Sequence, residues 1–224
     1  MSTTEKRDFI PALGYDGLTG FYDLTIKLTM PEKKFRNRLI DELNPGQEEE
    51  ILEFGFGTGQ NLLLAAQREP RSRLRGLDID PRVKAIAEKK LARQKVAIPL
   101  FLYDGGKFPF EDNAFDKVFS SLVFHQLDTE TKKGCLREIY RVLKPGGVLV
   151  VGDWGKPKDR FRRVLFYAVQ LLDGFETTRE NVEGLLPEYM VQCGFNDVRE
   201  TAYINTRIGT YCYYIGKKPG ESGK

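Results

Sequence analysis

ILEFGFGTGQNLL, residues 51–63, begins as an apolar run, turns acidic at Glu53 and then carries glycine at alternate positions, Gly55, Gly57 and Gly59. The pattern predicts a β-strand, a tight loop and the start of a helix, because glycine accepts sharp turns and leaves no side chain between backbone and ligand. Amides of such a loop face a ligand at the helix N-terminus. A purely structural turn of similar composition is the alternative.

The spacing of the glycines narrows the class of ligand. A dinucleotide fingerprint has the form G-x-G-x-x-G and binds a pyrophosphate, whereas here the third glycine comes one residue earlier. The carboxylate of Glu53 would repel a pyrophosphate and attract a cationic group. The stretch therefore favours a zwitterionic nucleoside without phosphate, and S-adenosylmethionine fits that description.

A second apolar stretch, residues 74–81, also ends in acids. Asp78 lies 19 residues beyond Gly59, close to the ~20 expected for an acid that binds ribose hydroxyls in a Rossmann-like unit. Asp80 precedes Pro81, which is a favourable pair for the N-cap and first position of a helix. We therefore assign Asp78 to the ribose and Asp80 to the cap.

Further strands are predicted at residues 98–103, 115–121 and 147–152, with helical segments between them. Strands that alternate with helices indicate an α/β fold with a parallel sheet and helices on both faces. Ligands of such sheets bind at the carboxyl ends of the strands. Glu53, Asp78, Asp104 and Ser120 all fall at these ends.

Taken together, these segments resemble the class I S-adenosylmethionine-dependent methyltransferases. The chain is most similar to their small-molecule branch, which includes ubiquinone and menaquinone biosynthesis C-methyltransferases and bacterial phospholipid N-methyltransferases. The resemblance covers residues 48–152 and is carried by the glycine motif and by residues 76–80, 104–110, 115–125 and 136–147. It implies an enzyme with a Rossmann-like sheet of seven strands, six parallel and the last reversed, using S-adenosylmethionine on a small hydrophobic or amphiphilic acceptor.

The resemblance also implies roles for the methionine end of the cofactor. Gly55, Gly57 and Gly59 would pass under the methionine, and Glu53 would orient its ammonium group. The backbone of Ser120 would reach the same ammonium.

Other matching residues would hold the adenosine. Asp78 would bind the ribose hydroxyls and Ile79 would pack on the adenine. Asp104 would meet the adenine amino group, with the amide of Gly105 nearby. Tyr22 resembles the tyrosine of an N-terminal segment that covers the cofactor, although Tyr15-Asp16 repeats the same dipeptide as Tyr22-Asp23.

His125, the single histidine, is the candidate catalytic residue. It follows the fourth predicted strand, where the acceptor should approach, and a neutral imidazole can accept a proton near neutral pH. The alternative is that His125 packs against the helix expected from about Asp128. Asp153 and Trp154 are expected just after the fifth strand, near the mouth of the acceptor pocket, although packing in the core is favoured for either one alone.

Residues 156–172 place five cations before an aromatic and aliphatic helix: Lys156, Lys158, Arg160, Arg162 and Arg163. The segment could make a peripheral contact with an anionic membrane or guide an amphiphilic acceptor. A packing helix with a solvated basic turn is the alternative. Cations at a helix N-terminus oppose the helix dipole, so local stability does not explain them.

Length and composition favour one methyltransferase domain. Within its 224 residues we expect a helical lid at 9–46, a cofactor-binding core at 47–152, substrate-side helices with a strand pair at 153–218, and a disordered tail at 219–224. The substrate-side helices are expected near 157–172 and 178–193, and packing on the sheet edge is the alternative for the lid. The sequence shows no apolar run of ~18 residues, no signal-peptide core and no C-x-x-C pair among its three cysteines. We therefore expect a cytoplasmic protein without a metal site.

The net charge of +3 does not call for nucleic acid. Three other functions remain open: a methyltransferase for a small polar amine or thiol, an inactive cofactor-binding partner subunit, and an NAD-dependent oxidoreductase, which the glycine spacing disfavours.

Overall fold

The computed structural model describes residues 31–173 and 175–220. The predictions for Tyr22, for the lid before residue 31 and for the last four residues of the tail lie outside the described residues.

Helices and strands alternate along most of the described chain. The helices are α1 (Glu32–Leu43), α2 (Gln60–Arg68), α3 (Pro81–Arg93), α4 (Thr129–Val142), α5 (Arg160–Asp173), α6 (Phe175–Glu183) and α7 (Leu186–Gln192). The strands are β1 (Glu50–Phe54), β2 (Arg73–Asp78), β3 (Leu100–Leu102), β4 (Phe115–Ser121), β5 (Leu143–Trp154), β6 (Asn196–Asn205) and β7 (Thr210–Lys217). A 3₁₀ turn, Phe124–Gln126, follows β4.

The seven strands form one sheet in the order β3-β2-β1-β4-β5-β7-β6. Strands β1 to β5 pair in parallel, and β7 is antiparallel to both of its neighbours, β5 and β6. Six strands therefore run one way and β7 runs the other, which confirms the predicted fold class. The strand order reverses between β1 and β4, and in open α/β sheets a ligand crevice lies at such a point.

Local sequence signals explain several element boundaries. The side chain of Asp80 accepts a hydrogen bond from the amide of Arg82 at 2.8 Å and caps α3, as predicted. Asp128 caps α4 in the same way through the amide of Thr131. Helix α1 ends at Asn44, whose φ of 43° places it in the left-handed region that asparagine tolerates.

The carboxy-terminal half departs from the sequence predictions in two places. Strand β5 continues through Trp154, whose ring packs on Phe166 and Tyr211 with centroids 5.5 and 6.4 Å away. Trp154 is 4% exposed and belongs to the core, as favoured for this residue taken alone, but it lies within the strand and not after it. The helix predicted near 178–193 is two helices, because Gly184 adopts a positive φ of 80° between them.

Side-chain alternation along β1 sends its residues to two separate cores, one on each face of the sheet. Ile51 joins the core beneath α1 and α2, whereas Leu52 and Phe54 join the core beneath α4. Glu53 shares the face of Ile51 and is fully buried. No helix among the described residues is long and apolar enough to cross a membrane.

Candidate functional site

The predicted ligand-binding acids lie side by side at the carboxyl ends of the central strands. In the parallel register, Phe54 at the end of β1 is opposite Leu77 of β2 on one side and Ser120 of β4 on the other. Glu53 and Asp78 therefore lie at the carboxyl ends of the neighbouring strands β1 and β2, on the β1 side of the point at which the strand order reverses. The glycine loop leaves β1 at this point and enters α2.

The three glycines of the loop are required for different reasons. All three have positive φ, at 72°, 50° and 73° for Gly55, Gly57 and Gly59. A Cβ at Gly55 would come within 2.3 Å of Val123, and one at Gly59 within 3.0 Å of Ala87. A Cβ at Gly57 would meet no protein atom within 4 Å. Packing therefore accounts for Gly55 and Gly59, whereas Gly57 borders open space that a ligand can occupy.

Asp78 fastens this loop to the end of β2. Its Oδ2 accepts a hydrogen bond from the amide of Gly57 at 2.8 Å, and its Oδ1 accepts from the amides of Ile79 and Asp80. Burial raises the pKa of Asp78 in spite of these three bonds. The carboxylate is thus oriented by the backbone, and Oδ2, which accepts only one of the three bonds, has a second lone pair for a ligand hydroxyl.

Glu53 is a buried carboxyl with only one of its oxygens bonded. Its Oε1 accepts a hydrogen bond from Asn61 Nδ2 at 2.8 Å, while Oε2 has no hydrogen-bond partner among the described residues. Burial raises the pKa of Glu53 to about 8, against the opposing effects of the Asn61 bond and the nearby Arg36 charge. A buried acceptor of this kind carries a cost that a cationic ligand would remove.

Arg36 and Asn61 complete this cluster, and the sequence analysis missed both. Arg36 on α1 donates a hydrogen bond to Asn61 Oδ1 at 2.7 Å and pairs with Glu32 at 3.0 Å. From the sequence, Arg36 shows only an i,i+4 spacing to Glu32, which is typical of a solvated helix face. Asn61 directly follows the glycine motif, but nothing in its sequence position distinguishes it from the capping residues common there.

The residues predicted to contact the adenine, Ile79, Asp104 and Gly105, also lie close to one another. Gly105 has a φ of 88°, and a Cβ there would touch Ile79 Cδ1 at 3.6 Å. Asp104 is exposed, and its Oδ1 accepts a hydrogen bond from the amide of Gly106 at 3.0 Å. These residues lie at the carboxyl ends of β2 and β3, next to Asp78.

His125 is fully buried and bonded to Asp153, a contact that the sequence did not reveal. His125 Nδ1 lies 2.7 Å from Asp153 Oδ1, and the His125 amide donates to Asp153 Oδ2 at 3.2 Å. Asp153 also accepts from the amide of Trp154. A carboxylate at Nδ1 favours the tautomer protonated there, which leaves the lone pair on Nε2. The fixed ring is consistent both with a base and with a structural histidine.

Comparison with known proteins gives the family. The model of a methyltransferase domain matches residues 52–151. The chain is 30% identical, over an alignment of 245 positions, to a demethylmenaquinone methyltransferase of Symbiobacterium thermophilum. The alignment covers 98% of this chain and 96% of the relative. A demethylmenaquinone methyltransferase of Thermus thermophilus is 28% identical, with 88% of this chain and 96% of the relative covered.

The chain belongs to the S-adenosylmethionine-dependent methyltransferases. Its fold is also similar to a Haemonchus contortus phosphoethanolamine N-methyltransferase 2 solved in complex with S-adenosylmethionine, at a TM-score of 0.66 and 17% identity over 82% of this chain and 52% of that one. The cofactor of the methyltransferase is thus S-adenosylmethionine. Residues 31–173 and 175–220 contain no cluster of side chains suited to a metal ion.

The methyltransferase holds α6 against the turn that carries His125. Glu180 on α6 accepts hydrogen bonds from Lys132 at 2.7 Å, from Tyr189 at 2.8 Å and from Thr129. Asn181 donates to the carbonyl of Trp154 at 2.9 Å. Burial raises the pKa of Glu180, but these hydrogen bonds and the Lys132 charge outweigh it and lower the pKa below 4.5. Glu180 therefore fastens the helix that covers His125.

We predict that Glu180→Gln lowers stability by about 2 kcal/mol or more, because the ammonium of Lys132, 1% exposed, would lose its charged partner. Urea unfolding at pH 7 measures the change. Glu183→Gln is the control, since Glu183 faces outward and pairs with the exposed Arg179. The difference between native protein and Glu180→Gln should shrink as the pH falls from 4.5 through the lower pKa that Glu180 has in the folded protein, because the folded carboxylate then becomes protonated. Equal urea midpoints for both variants would contradict the role of Glu180.

Proposed function

We propose that this methyltransferase transfers a methyl group from S-adenosylmethionine to a small apolar or amphiphilic acceptor of quinone-like or lipid-like character. One observation supports assigning the cofactor to these residues. The buried Glu53 carboxyl has one oxygen without a hydrogen-bond partner among the described residues, and it lies beside the loop that Asp78 holds. The acceptor class is supported by two relatives named demethylmenaquinone methyltransferases, which the chain matches over almost their whole length.

The methionine end of the cofactor fits the cluster around Glu53. Its ammonium group would bind Glu53 Oε2, and the buried Ser120 offers its backbone next to that position. Its carboxylate would lie toward Arg36, which is held by Asn61 and Glu32 and can form a charge-assisted bond. The two ends of an amino acid are thus matched by opposite charges in the protein.

The adenosine end fits the neighbouring strand. Asp78 would accept the ribose hydroxyls, and the open space beside Gly57 would admit the chain that joins ribose to sulfur. Ile79 would pack on the adenine, with Asp104 and the Gly105 amide at its polar edge. We further propose that residues 9–46 form a lid that contacts the cofactor through Tyr22.

Bound S-adenosylmethionine supplies an activated methyl group on a sulfonium, which a nucleophile displaces in line. The protein therefore needs to place the acceptor atom about 3–3.5 Å from the methyl carbon and to exclude water. Where the acceptor must lose a proton, His125 accepts it at Nε2, with Asp153 holding the ring and stabilising the imidazolium. In this proposal Asp153 acts only through His125 and does not touch the acceptor.

A methyl-acceptor screen with radiolabelled S-adenosylmethionine tests this function. Transfer to demethylated quinones or to amphiphilic phenols, and not to small amines or thiols, is the expected result. Transfer only to a polar amine or thiol would contradict the proposed apolar or amphiphilic acceptor and would favour the polar acceptor instead. If the purified chain binds the cofactor but methylates no member of any class, the inactive-partner alternative is favoured.

We also propose a peripheral contact with an anionic membrane through the outer face of α5. Phe161, Val164 and Tyr167 lie on one side of this helix and are 66%, 63% and 46% exposed. Arg160, also exposed, borders the same face and can attract anionic lipid. The location would be cytoplasmic, which is consistent with the free thiols of Cys135, Cys193 and Cys212.

For the ribose assignment, we predict that Asp78→Ala weakens binding of S-adenosylhomocysteine by about 1.5–3 kcal/mol, the range for hydrogen bonds to a charged group. Calorimetric titration measures it. Asp80→Ala is the control, because Asp80 caps α3 and bonds Arg82 without facing the loop. That variant should lose some stability but keep its affinity. Unchanged affinity in a folded Asp78→Ala protein would remove Asp78 from the site.

For the base, we predict that His125→Gln lowers kcat about 10²–10⁴-fold with little change in cofactor affinity. Asp153→Asn should also lower kcat, because the imidazolium loses its charged partner. Steady-state kinetics give kcat for both variants. A folded His125→Gln enzyme with native kcat would assign His125 to packing.

For the membrane contact, we predict that native protein sediments with anionic vesicles and that the double variant Phe161→Ser, Val164→Ser does so less. The matched control is Ile86→Ser, Val191→Ser, which removes two exposed apolar side chains elsewhere, 43% and 57% exposed. Native protein that stays in the supernatant at low salt would refute the contact.

A further inference from the structure

A cleft of about 490 Å³ opens between α5 and α6, and cations line it. Lys156 comes from the segment after β5, Arg160 and Arg163 from the first turns of α5, and Arg179 from α6. The acids of the lining are Asp159 and Glu183, so the cleft has a net positive charge. Four cations from three segments of the chain converge on this one space.

The four cations of the cleft differ in the hydrogen bonds and ion pairs that they already make within the protein. Arg179 pairs with Glu183 at 2.8 Å. Arg163 donates to Gln170 at 3.0 Å and stacks at 4.4 Å on the ring of Tyr167, which fixes its guanidinium. In the part of the chain that the structure describes, Lys156 and Arg160 make no hydrogen bond or ion pair. Two cations are thus available to a ligand beside one that is already held in place.

The cations of residues 156–163 look like one group in the sequence, but Lys158 is separate from the other described cations in the structure. Lys158 turns away from the cleft, pairs with Glu200 of β6 at 2.6 Å and lies 5.1 Å from the ring of Tyr203. The side chain of Arg162 lies outside the described residues. Lys156, Arg160 and Arg163 therefore form the described basic lining on this side of the cleft.

The position of these charges is unfavourable for the isolated protein. Arg160 and Arg163 lie in the first turn of α5, where the helix dipole disfavours cations. Their mutual repulsion, three residues apart on the same helix, adds to this cost. A bound anion would reverse both effects, since helix N-termini and arginines both favour phosphate.

The cleft and the His125 turn lie on different sides of α6. Glu180 and Asn181 face the body of the protein, whereas Arg179, Val182 and Glu183 line the cleft. An anion in the cleft is therefore separated from His125 by a helix, whose diameter is roughly 10 Å. Such a group is not the methylated atom; it is a remote anchor.

We propose that this cleft binds the phosphate group of an anionic amphiphile through Lys156, Arg160 and Arg163. Phosphate offers several oxygens at once to the guanidinium groups and to the ammonium. The exposed apolar face of α5, with Phe161 and Val164, adjoins the cleft and suits the acyl part of the same ligand. The phosphate can belong to a membrane lipid or to a soluble phosphate ester, and these sources share the same binding chemistry.

The test uses the full-length protein without cofactor or acceptor, so its result does not depend on the proposed reaction. Binding of inorganic phosphate is followed by ³¹P line broadening. Binding to vesicles is followed by sedimentation, with phosphatidic acid in phosphatidylcholine in one arm and phosphatidylcholine alone in the other. The variant is Lys156→Gln, Arg160→Gln. The control is Lys89→Gln, Arg93→Gln, which removes the same charges from the exposed side of α3.

We expect the cleft variant to bind inorganic phosphate at least about tenfold more weakly than native protein, because it loses two charged hydrogen-bond donors. The control variant should bind phosphate as native protein does. Loss of sedimentation with phosphatidic acid in the cleft variant alone identifies a lipid as the source. Phosphate binding without sedimentation identifies a soluble ester.

Equal phosphate binding by native protein and the cleft variant would overturn the proposal, as would no phosphate binding by native protein. S-Adenosylhomocysteine affinity is measured in parallel and should be unchanged in both variants. If phosphate binds in the cleft but S-adenosylhomocysteine does not bind, the proposed function fails and the phosphate site stands. If S-adenosylhomocysteine binds but phosphate does not, the phosphate site fails and the proposed function stands.

Discussion

The burial of one carboxyl group, Glu53, is the constraint on which the site depends. The group lies at the end of β1, fully enclosed, with one oxygen bonded to Asn61 and the other without a hydrogen-bond partner in the part of the chain that the structure describes. Burial raises its pKa from 4.5 to about 8. A carboxyl with a raised pKa destabilises the folded state as the pH rises from 4.5 toward 8, because only the unfolded chain can ionise it freely. At pH 7 this amounts to a cost on the order of 3 kcal/mol. A cationic ligand removes the cost by pairing with the carboxylate.

The contacts of Glu53 also connect the elements that form the crevice. Asn61 is the second residue of α2, and its oxygen accepts a hydrogen bond from Arg36 of α1, so one chain of bonds joins α1, α2 and β1. Asp78 makes the corresponding connection on the other side, between the glycine loop and β2. The loop is thus held from both sides, and the space beside Gly57 stays open. The site is prepared for its ligand by contacts within the protein.

Much of this arrangement could be predicted from the sequence because it depends on patterns of residues that are close together in the chain. The strand–glycine–helix pattern, the acid at the end of the second strand and the cap at Asp80 each involve a few neighbouring residues. The reversed last strand followed from the resemblance to the family. Contacts between distant segments could not be predicted, because no local pattern marks them. Asp153 meets His125 across 28 positions, and Arg36 meets Asn61 across 25. The sequence left two positions open for Trp154, because a buried aromatic at a strand end looks the same in the sequence as one at a pocket.

The most direct test of the account is the number of protons released when S-adenosylhomocysteine binds, measured by calorimetry at pH 7 in buffers of different ionisation enthalpy. With the Glu53 pKa at about 8 in the free protein, most molecules carry a proton that the ligand ammonium must displace. The account predicts that native protein releases close to one proton per ligand more than Glu53→Gln does, because any contribution from the ligand amine is common to both. The same proton release by both proteins, or none by the native one, would contradict the assignment of Glu53 to the ammonium.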